Sequence, residues 1–188
     1  GPGDLATAFA FALSRAPAGV RPVVLLALPR AWLAEHGRPY SRGLPGVELI
    51  LAATATGAEA LWAMEQALRS GAVTLALGGV EAASLAQTRR LGFAAHEGGS
   101  VGVMLRLGGG GLSAARRRWR VMPAPSAVEP ADLRAPGAGR LWAELVRSRS
   151  ERPGTWMLEQ ADETHRLRLA DRLAGDGLDA VRRTTLAA

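Results

Sequence analysis

The sequence predicts an α/β fold with a mainly parallel central sheet, extended toward the C-terminus by antiparallel strands. Short apolar runs such as PVVLLAL (22–28) alternate with longer amphipathic segments over residues 1–107, as expected for buried parallel strands joined by helices. After GGGG (108–111) the pattern becomes residue-by-residue alternation broken by turns, which favours an antiparallel meander. The chain has 188 residues, 48% of them hydrophobic, which is enough for one domain with a full core.

The parallel part is predicted from apolar runs that are too short for core helices and from helical periodicity between them. The clearest helix is 56–71, in which Thr56 can cap the start and Gly71 can end it. The full set comprises helices at 4–15, 30–36, 56–71 and 81–99, and strands at 22–28, 47–53, 72–78 and 100–107.

The antiparallel part begins with RRRWRVMP (116–123). Alternation places Arg117, Trp119 and Val121 on one face of this strand. It places Arg116, Arg118 and Arg120 on the other face, as a stripe of three guanidinium groups. A linker (123–139) precedes strands at 140–149, 154–160 and 164–170. The predicted organisation is thus a single domain, with a parallel α/β core at 1–107, an antiparallel extension at 113–170 and a tail at 171–188.

Composition excludes several classes of function. The chain contains no cysteine, which rules out disulfides and thiolate chemistry and suits a cytoplasmic protein. No apolar run reaches the length of ~18 residues that a membrane span needs. All 23 basic residues are arginine, and the net charge is +6. This balance is compatible with nucleic-acid contact, with an acidic protein partner, and with an ordinary solvated surface.

The opening GPGDLATA has the position, but not the chemistry, of a phosphate-binding loop. A working loop, G-x-x-x-x-G-K-[ST], uses its lysine and hydroxyl to hold phosphate and magnesium. If Gly1 is the first glycine, then Ala6, Thr7 and Ala8 replace the second glycine, the lysine and the hydroxyl. Gly3 is the other glycine of this stretch. We therefore predict a turn that is kept for topology and does not bind nucleotide.

The third strand also lacks nucleotide-binding chemistry, because AVTLALGG (72–79) ends in Gly79 at the position where a P-loop protein has a magnesium-binding aspartate. No other catalytic pattern replaces it. His36, His96 and His165 lack metal-ligand spacing, and the serine motif G-x-S-x-G is absent. The prediction is a protein that is not an enzyme and needs no cofactor and no metal.

Aromatic residues interleave with the arginines of the C-terminal strands. Trp119, Trp142 and Trp156 lie in strand-like segments, where core packing is favoured over stacking on nucleic-acid bases. The guanidinium groups of the 116–120 stripe are suited to phosphate. The candidate contact residues for DNA or a protein partner are Arg116, Arg118, Arg120, Arg147, Arg149 and Arg152.

These segments resemble known proteins. TGAEALWAMEQALRSGAV (56–73) is similar to the helix-to-strand segment that precedes the Walker-B strand of RecA-type recombinases, which implies a RecA-like, P-loop-type core. SAARRRWRVMPAPSA (113–127), LWAELVRSRSERPGTWMLEQ (141–160) and DETHRLRLA (162–170) resemble the ImuA family of RecA-fold accessory proteins of SOS mutagenesis. By this resemblance, Gly79 corresponds to a degenerate Walker-B position.

The resemblance implies a non-catalytic role in a damage-induced mutasome that carries out error-prone translesion synthesis. The implied partners are an ImuB-like relative of Y-family polymerases and an error-prone DnaE-type polymerase, with RecA and single-stranded DNA as further candidates. Segment 165–186 is a second candidate contact, as a partner helix with Leu167, Leu169, Leu173, Leu178 and Val181 available for burial. The alternatives are a SulA-like cell-division inhibitor that binds FtsZ and a DNA-binding RecA-like module.

Overall fold

The structure is a computed structural model that describes residues 2–17, 21–106, 112–160 and 166–173. It contains a parallel sheet with helices and a separate antiparallel sheet, so the predicted mixed α/β class is confirmed. The chain forms two compact units, one comprising Pro2 with Ala12–Ala115 and the other Gly3–Phe11 with Arg116–Ala188. The change at residue 116 lies close to the predicted start of the antiparallel part at 113, while the single-domain description stays a prediction.

The elements follow the predicted order closely. The helices are α1 (Pro2–Leu13), α2 (Arg30–His36), α3 (Gly57–Ser70) and α4 (Leu85–Glu97), with a 3₁₀ turn at Ser41–Gly43. The strands are β1 (Val23–Pro29), β2 (Glu48–Thr54), β3 (Leu75–Gly79), β4 (Val101–Leu105), β5 (Arg117–Ala124), β6 (Arg140–Ser148), β7 (Gly154–Gln160) and β8 (Leu167–Leu173).

Helix α3 has the ends that its sequence predicts. The Thr56 hydroxyl accepts a hydrogen bond from the Glu59 backbone N–H, and Gly71 closes the helix with φ 68°, in the left-handed region. Helix α4 begins with a capping box. The Ser84 side chain accepts a hydrogen bond from the Gln87 backbone N–H, and the Gln87 side chain accepts one from the Ser84 backbone N–H. Local sequence therefore fixes where both helices start.

The parallel sheet has the strand order β2-β1-β3-β4. The chain passes from β1 to β2, which lies on one side of β1, and then crosses through α3 to β3, which lies on the other side. This reversal makes the carboxyl ends of β1 and β3 the topological switch point, where open α/β sheets usually bind ligands. Helices α3 and α4 pack against one face through a core that includes Leu61, Met64 and Leu68 of α3.

A buried carboxylate fastens α3 to α4. Glu65 is only 6% exposed. It accepts hydrogen bonds from Arg69 at 3.1 Å and from Arg90 of α4 at 2.6 Å. Arg69 also donates to Glu97. Two guanidinium groups therefore compensate for the cost of burying this charge.

The antiparallel sheet has the order β5-β6-β7-β8 and one face covered by α1. Phe11 of α1 is buried against this face with Leu141 and Ala143. The Phe11 ring lies 5.1 Å from that of Trp119, which in turn lies 5.6 Å from Trp156. The predicted core packing of these two tryptophans is confirmed.

The register of β5 on β6 shifts by one residue. Trp119 pairs with Leu145, whereas its neighbour Arg118 pairs with Arg147, so Val146 is an extra residue in β6. Such a bulge reverses which face the following residues occupy. Leu145 therefore lies on the Phe11 face, and Arg147 lies on the opposite face.

The candidate partner helix at 165–186 is wrong over its first part, because Leu167–Leu173 forms strand β8 paired with β7. Backbone pairing to an existing sheet edge competes successfully with helix formation there. Leu178 and Val181 lie outside the described residues, as does the tail from 174.

Candidate functional site

The switch point of the parallel sheet is filled by an aromatic side chain. Trp32, in the first turn of α2, is 7% exposed. A Cβ atom placed on Gly79 would lie 2.6 Å from Leu28 Cδ2 and 2.7 Å from two atoms of the Trp32 ring. A side chain of any size at position 79, including the aspartate of a Walker-B strand, therefore has no room in this packing.

The stretch proposed as a degenerate phosphate loop lies mostly within helix α1. The helix begins at Pro2, so Gly3, Ala6, Thr7 and Ala8 are helical, while Gly1 lies outside the described residues. The helix thus starts two residues earlier than the sequence predicts, and the turn predicted for this stretch is wrong from residue 2 onward. The comparison of this stretch with a phosphate loop stays a prediction, as does the correspondence of Gly79 to a Walker-B aspartate.

The predicted arginines of the antiparallel sheet do come together, in cross-strand pairs. Arg118 of β5 lies directly opposite Arg147 of β6. The backbone N–H of Arg149 donates to the Arg116 carbonyl at 3.2 Å, which continues the same pairing by two residues. We call these four residues the arginine quartet: Arg116, Arg118, Arg147 and Arg149.

The remaining predicted arginines lie around the quartet. Arg120 lies on the same face and is 3.4 Å from the carboxylate of its cross-strand neighbour Glu144. Arg152 is exposed in the turn between β6 and β7. A surface depression of about 350 Å³ lies at this end of the sheet, lined by Arg116, Arg117, Arg149 and Ser150.

Arg117 belongs to the other face, as predicted, and pairs with a carboxylate. Its Nε and Nη2 atoms donate to Glu151 at 2.8 and 2.6 Å. This bidentate hydrogen bonding raises the pKa of Arg117, while burial acts in the opposite direction. Arg117 is therefore engaged in an ion pair within the protein.

Sequence reasoning missed an apolar row on the quartet's face. Cross-strand register aligns Met122 of β5, Trp142 of β6 and Met157 of β7. All three side chains are partly exposed. The prediction that Trp142 packs in the core with Trp119 and Trp156 is wrong, because its place in β6 puts it on the face away from Phe11. The alternation in LWAEL (141–145) was the available signal.

A second buried carboxylate closes this face beyond the apolar row. Glu159 of β7 is 5% exposed. It accepts hydrogen bonds from Arg168 of β8 and, at 2.6 Å, from Arg140 of β6. Hydrogen bonds from Arg168 and then Arg140 lower the pKa of Glu159. This triad is charged at neutral pH and links three strands.

Two other expectations concern absences. Among the described residues, no group of three or more histidine and acidic side chains is placed to hold a metal ion. No helix in the described ranges is long and apolar enough to cross a membrane.

Comparison with known proteins identifies relatives. No family profile matches the chain. The chain is 36% identical to the ImuA proteins of two Caulobacter vibrioides strains in an alignment of 163 residues that covers 76% of this chain and 66% of each relative. It is also 35% identical over 89 residues to the cell division inhibitor SulA of Edwardsiella piscicida, covering 45% of this chain and 53% of that protein.

Among solved structures, SulA from Pseudomonas aeruginosa matches 57% of this chain and 90% of its own chain, with 24% identity and a TM-score of 0.41. That likeness is too low to bear on function. The aligned part, 76% of this 188-residue chain, is longer than either unit, so the ImuA similarity includes residues of both. By this similarity, which spans about two thirds of the length of its curated relatives, the chain belongs to the ImuA family.

Proposed function

We propose that the chain is a non-catalytic accessory protein of a damage-induced mutasome and supports error-prone translesion synthesis by holding polymerase components together. Membership of the ImuA family supports the biological setting. The observation that carries the non-catalytic part is the packing of Trp32 and Leu28 against Gly79. In a RecA-like core, which we propose as the origin of the parallel unit, this position supplies the magnesium-binding carboxylate.

The proposed partners are an ImuB-like Y-family polymerase relative and an error-prone DnaE-type polymerase. The test uses the tagged chain as bait in damaged and undamaged cells of the source bacterium, with mass spectrometry of the captured proteins. We expect both partners to be recovered, and more strongly after damage. Recovery of neither protein would contradict the adaptor role.

The absence of nucleotide binding is tested separately by thermal unfolding with Mg-ATP. A site occupied at 100 times its Kd would stabilise the fold by ~2.7 kcal/mol. For a domain of this size, that corresponds to a rise in Tm of roughly 5–11 °C. We expect no rise. A rise that depends on ATP concentration would show that the switch point opens to accept nucleotide.

A second candidate function is a cell-division inhibitor that binds FtsZ. The similarity to SulA of Edwardsiella piscicida, at 35% identity over 89 residues, favours it. The same capture experiment separates the two functions, because recovery of FtsZ without the polymerase components would support the inhibitor.

A further inference from the structure

We infer that the loop between α2 and β2, residues 37–46, binds single-stranded DNA. In this arrangement Tyr40 stacks on a base, and Arg38 and Arg42 hold the phosphates beside it. We call this segment the Tyr40 loop. The inference goes beyond the proposed accessory function and rests on it only for the biological setting. DNA binding is measured without a partner protein, so either proposal can fail while the other stands.

The ring of Tyr40 is presented to solvent from a fixed position. The residue is 71% exposed. A Cβ atom built on Gly43 would lie 3.4 Å from Tyr40 Cδ1, so the ring lies against the loop's own backbone. Most of the ring surface remains accessible, and every nucleic-acid base has a face that stacks on an aromatic ring. Tyr40 is therefore placed as a stacking platform.

The backbone of the Tyr40 loop keeps this position without help from a core. Gly37 ends α2 with φ 80°, in the left-handed region. Tyr40 is extended, and its carbonyl accepts a hydrogen bond from the Gly43 N–H at 3.0 Å, which closes the 3₁₀ turn. Pro39 restricts the backbone on either side of its own peptide bond. A loop that is ordered in this way loses little conformational freedom when it binds a ligand.

Two arginines flank the ring. Arg38 and Arg42 are each two residues from Tyr40, and both are exposed. Among the described residues, neither guanidinium group makes a hydrogen bond or an ion pair. An uncompensated guanidinium group can donate two parallel hydrogen bonds to the oxygens of one phosphate. The loop therefore offers a phosphate-binding group on each side of the ring.

The spacing of these side chains suits one nucleotide and its neighbours. Residues two apart in an extended chain are ~6.6 Å apart, which applies to Arg38 and Tyr40. The 3₁₀ turn has a shorter rise of ~2.0 Å per residue, which brings Arg42 closer to Tyr40. Both guanidinium groups can thus reach the phosphates that flank a base stacked on the ring.

A third arginine lies near the end of the loop. The Glu48 N–H donates to the Pro22 carbonyl at 3.0 Å, which places the start of β2 beside Arg21. Arg21 is exposed, and its guanidinium group makes no hydrogen bond or ion pair within the described ranges. Residues 21–48 contain four arginines and two glutamates, a formal net charge of +2 with histidine neutral. This charge attracts a polyanion to the surface that carries the Tyr40 loop.

Stacking is what favours a single strand over a duplex. In a duplex, the faces of each base are covered by the neighbouring base pairs, so phosphates alone are available to the loop. Unpaired bases can turn outward and stack on an aromatic side chain. A duplex or an acidic peptide satisfies the arginines and leaves Tyr40 without a contact of this kind.

The experiment measures binding of the purified 188-residue chain to a fluorescein-labelled 20-nucleotide oligo-dT by anisotropy, between 50 and 200 mM salt. With three phosphates contacted, the slope of log K against log salt should be about −2.1, at ~0.7 per phosphate. Changing Arg38 and Arg42 to Ala should make the slope shallower by about 1.4. The matched control changes Arg89 and Arg134, two exposed arginines outside the loop, to Ala. It removes the same charge and should leave the slope unchanged.

The stacking role is tested by Tyr40→Leu, which keeps an apolar side chain and removes the ring. Loss of one stacked base should weaken binding about 10-fold at every salt concentration, with the slope unchanged. Tyr40→Phe should retain most of the affinity, because it keeps the ring. Phe93→Leu, which removes the ring of a 65% exposed phenylalanine of α4, is the matched control and should have no effect.

Four results would overturn the inference, each obtained with variants whose fold is intact by circular dichroism. The first is an unchanged salt slope after Arg38 and Arg42 are replaced. The second is an unchanged affinity in Tyr40→Leu. The third is equal or tighter binding of a 20-base-pair duplex. The fourth is tighter binding of an acidic peptide of equal charge, which would assign the loop to a protein partner.

Discussion

Replacing Gly79 by Ala adds one methyl group at the end of β3, where the whole strand is buried. Its Cβ would lie 2.6–2.7 Å from one atom of Leu28 and two atoms of Trp32. Ordinary carbon contacts are ~3.5–4.0 Å, so each contact overlaps by about 1 Å. Because the indole is rigid and itself buried, the overlap cannot be relieved by a small side-chain movement.

We expect Gly79→Ala to lower the free energy of unfolding by about 3 kcal/mol, at the upper end of the cost of overpacking. For a domain of this size, the Tm should fall by roughly 6–12 °C. Differential scanning calorimetry and urea unfolding measure the two quantities independently. Gly92→Ala is the matched control, because a Cβ there meets nothing within 4 Å and helix propensity favours Ala by ~1 kcal/mol.

A double-mutant cycle with Trp32→Leu tests the cause of the loss. If the indole is the obstacle, the double variant should be more stable than the sum of the single effects predicts, by about 1 kcal/mol or more. Additive effects would show that position 79 is restricted by something other than the ring. A Gly79→Ala variant as stable as the parent would refute the argument that the switch point is closed.

Two further predictions concern the buried carboxylates. Glu65→Ala leaves two guanidinium groups of α3 and α4 without their partner and should cost about 2–3 kcal/mol in urea unfolding, whereas Gln66→Ala on the exposed side of α3 should change little. The lowered pKa of Glu159 means that its stabilisation is complete above the unfolded value of ~4.3 and is lost as pH falls through the folded value. The stability difference between the parent and Glu159→Gln should therefore be largest near pH 7 and shrink below pH 4; a difference independent of pH would contradict this assignment.

Much of the fold could be predicted from sequence because its signals are local. Thr56 and Gly71 mark the ends of α3 by capping chemistry that depends on neighbouring residues. The parallel strands are apolar on both faces, and the stripe of Arg116, Arg118 and Arg120 follows from alternation along β5.

The rest depends on contacts between distant segments. Trp32 and Gly79 are in contact although they lie 47 positions apart in the sequence. The pairing of Arg118 with Arg147 depends on a register that shifts at Val146, and alternation alone does not reveal a shift. Without the register, Arg147 and Arg149 could not be assigned to the same face as the stripe.

The extra residue in β6 has a consequence for how this strand tolerates changes in length. In LWAELVRSR (141–149), leucine, alanine and arginine all occur at odd positions. An unbroken strand would therefore direct Arg147 toward the hydrophobic core together with Leu145. Val146 separates the two sets, so that leucine faces inward and arginine faces solvent. Because Val146 is the extra residue, deleting its codon would leave Leu145 facing inward and Arg147 facing solvent in a strand without a bulge. Deleting a single codon within 142–145 would instead move the residues on one side of the deletion to the opposite face.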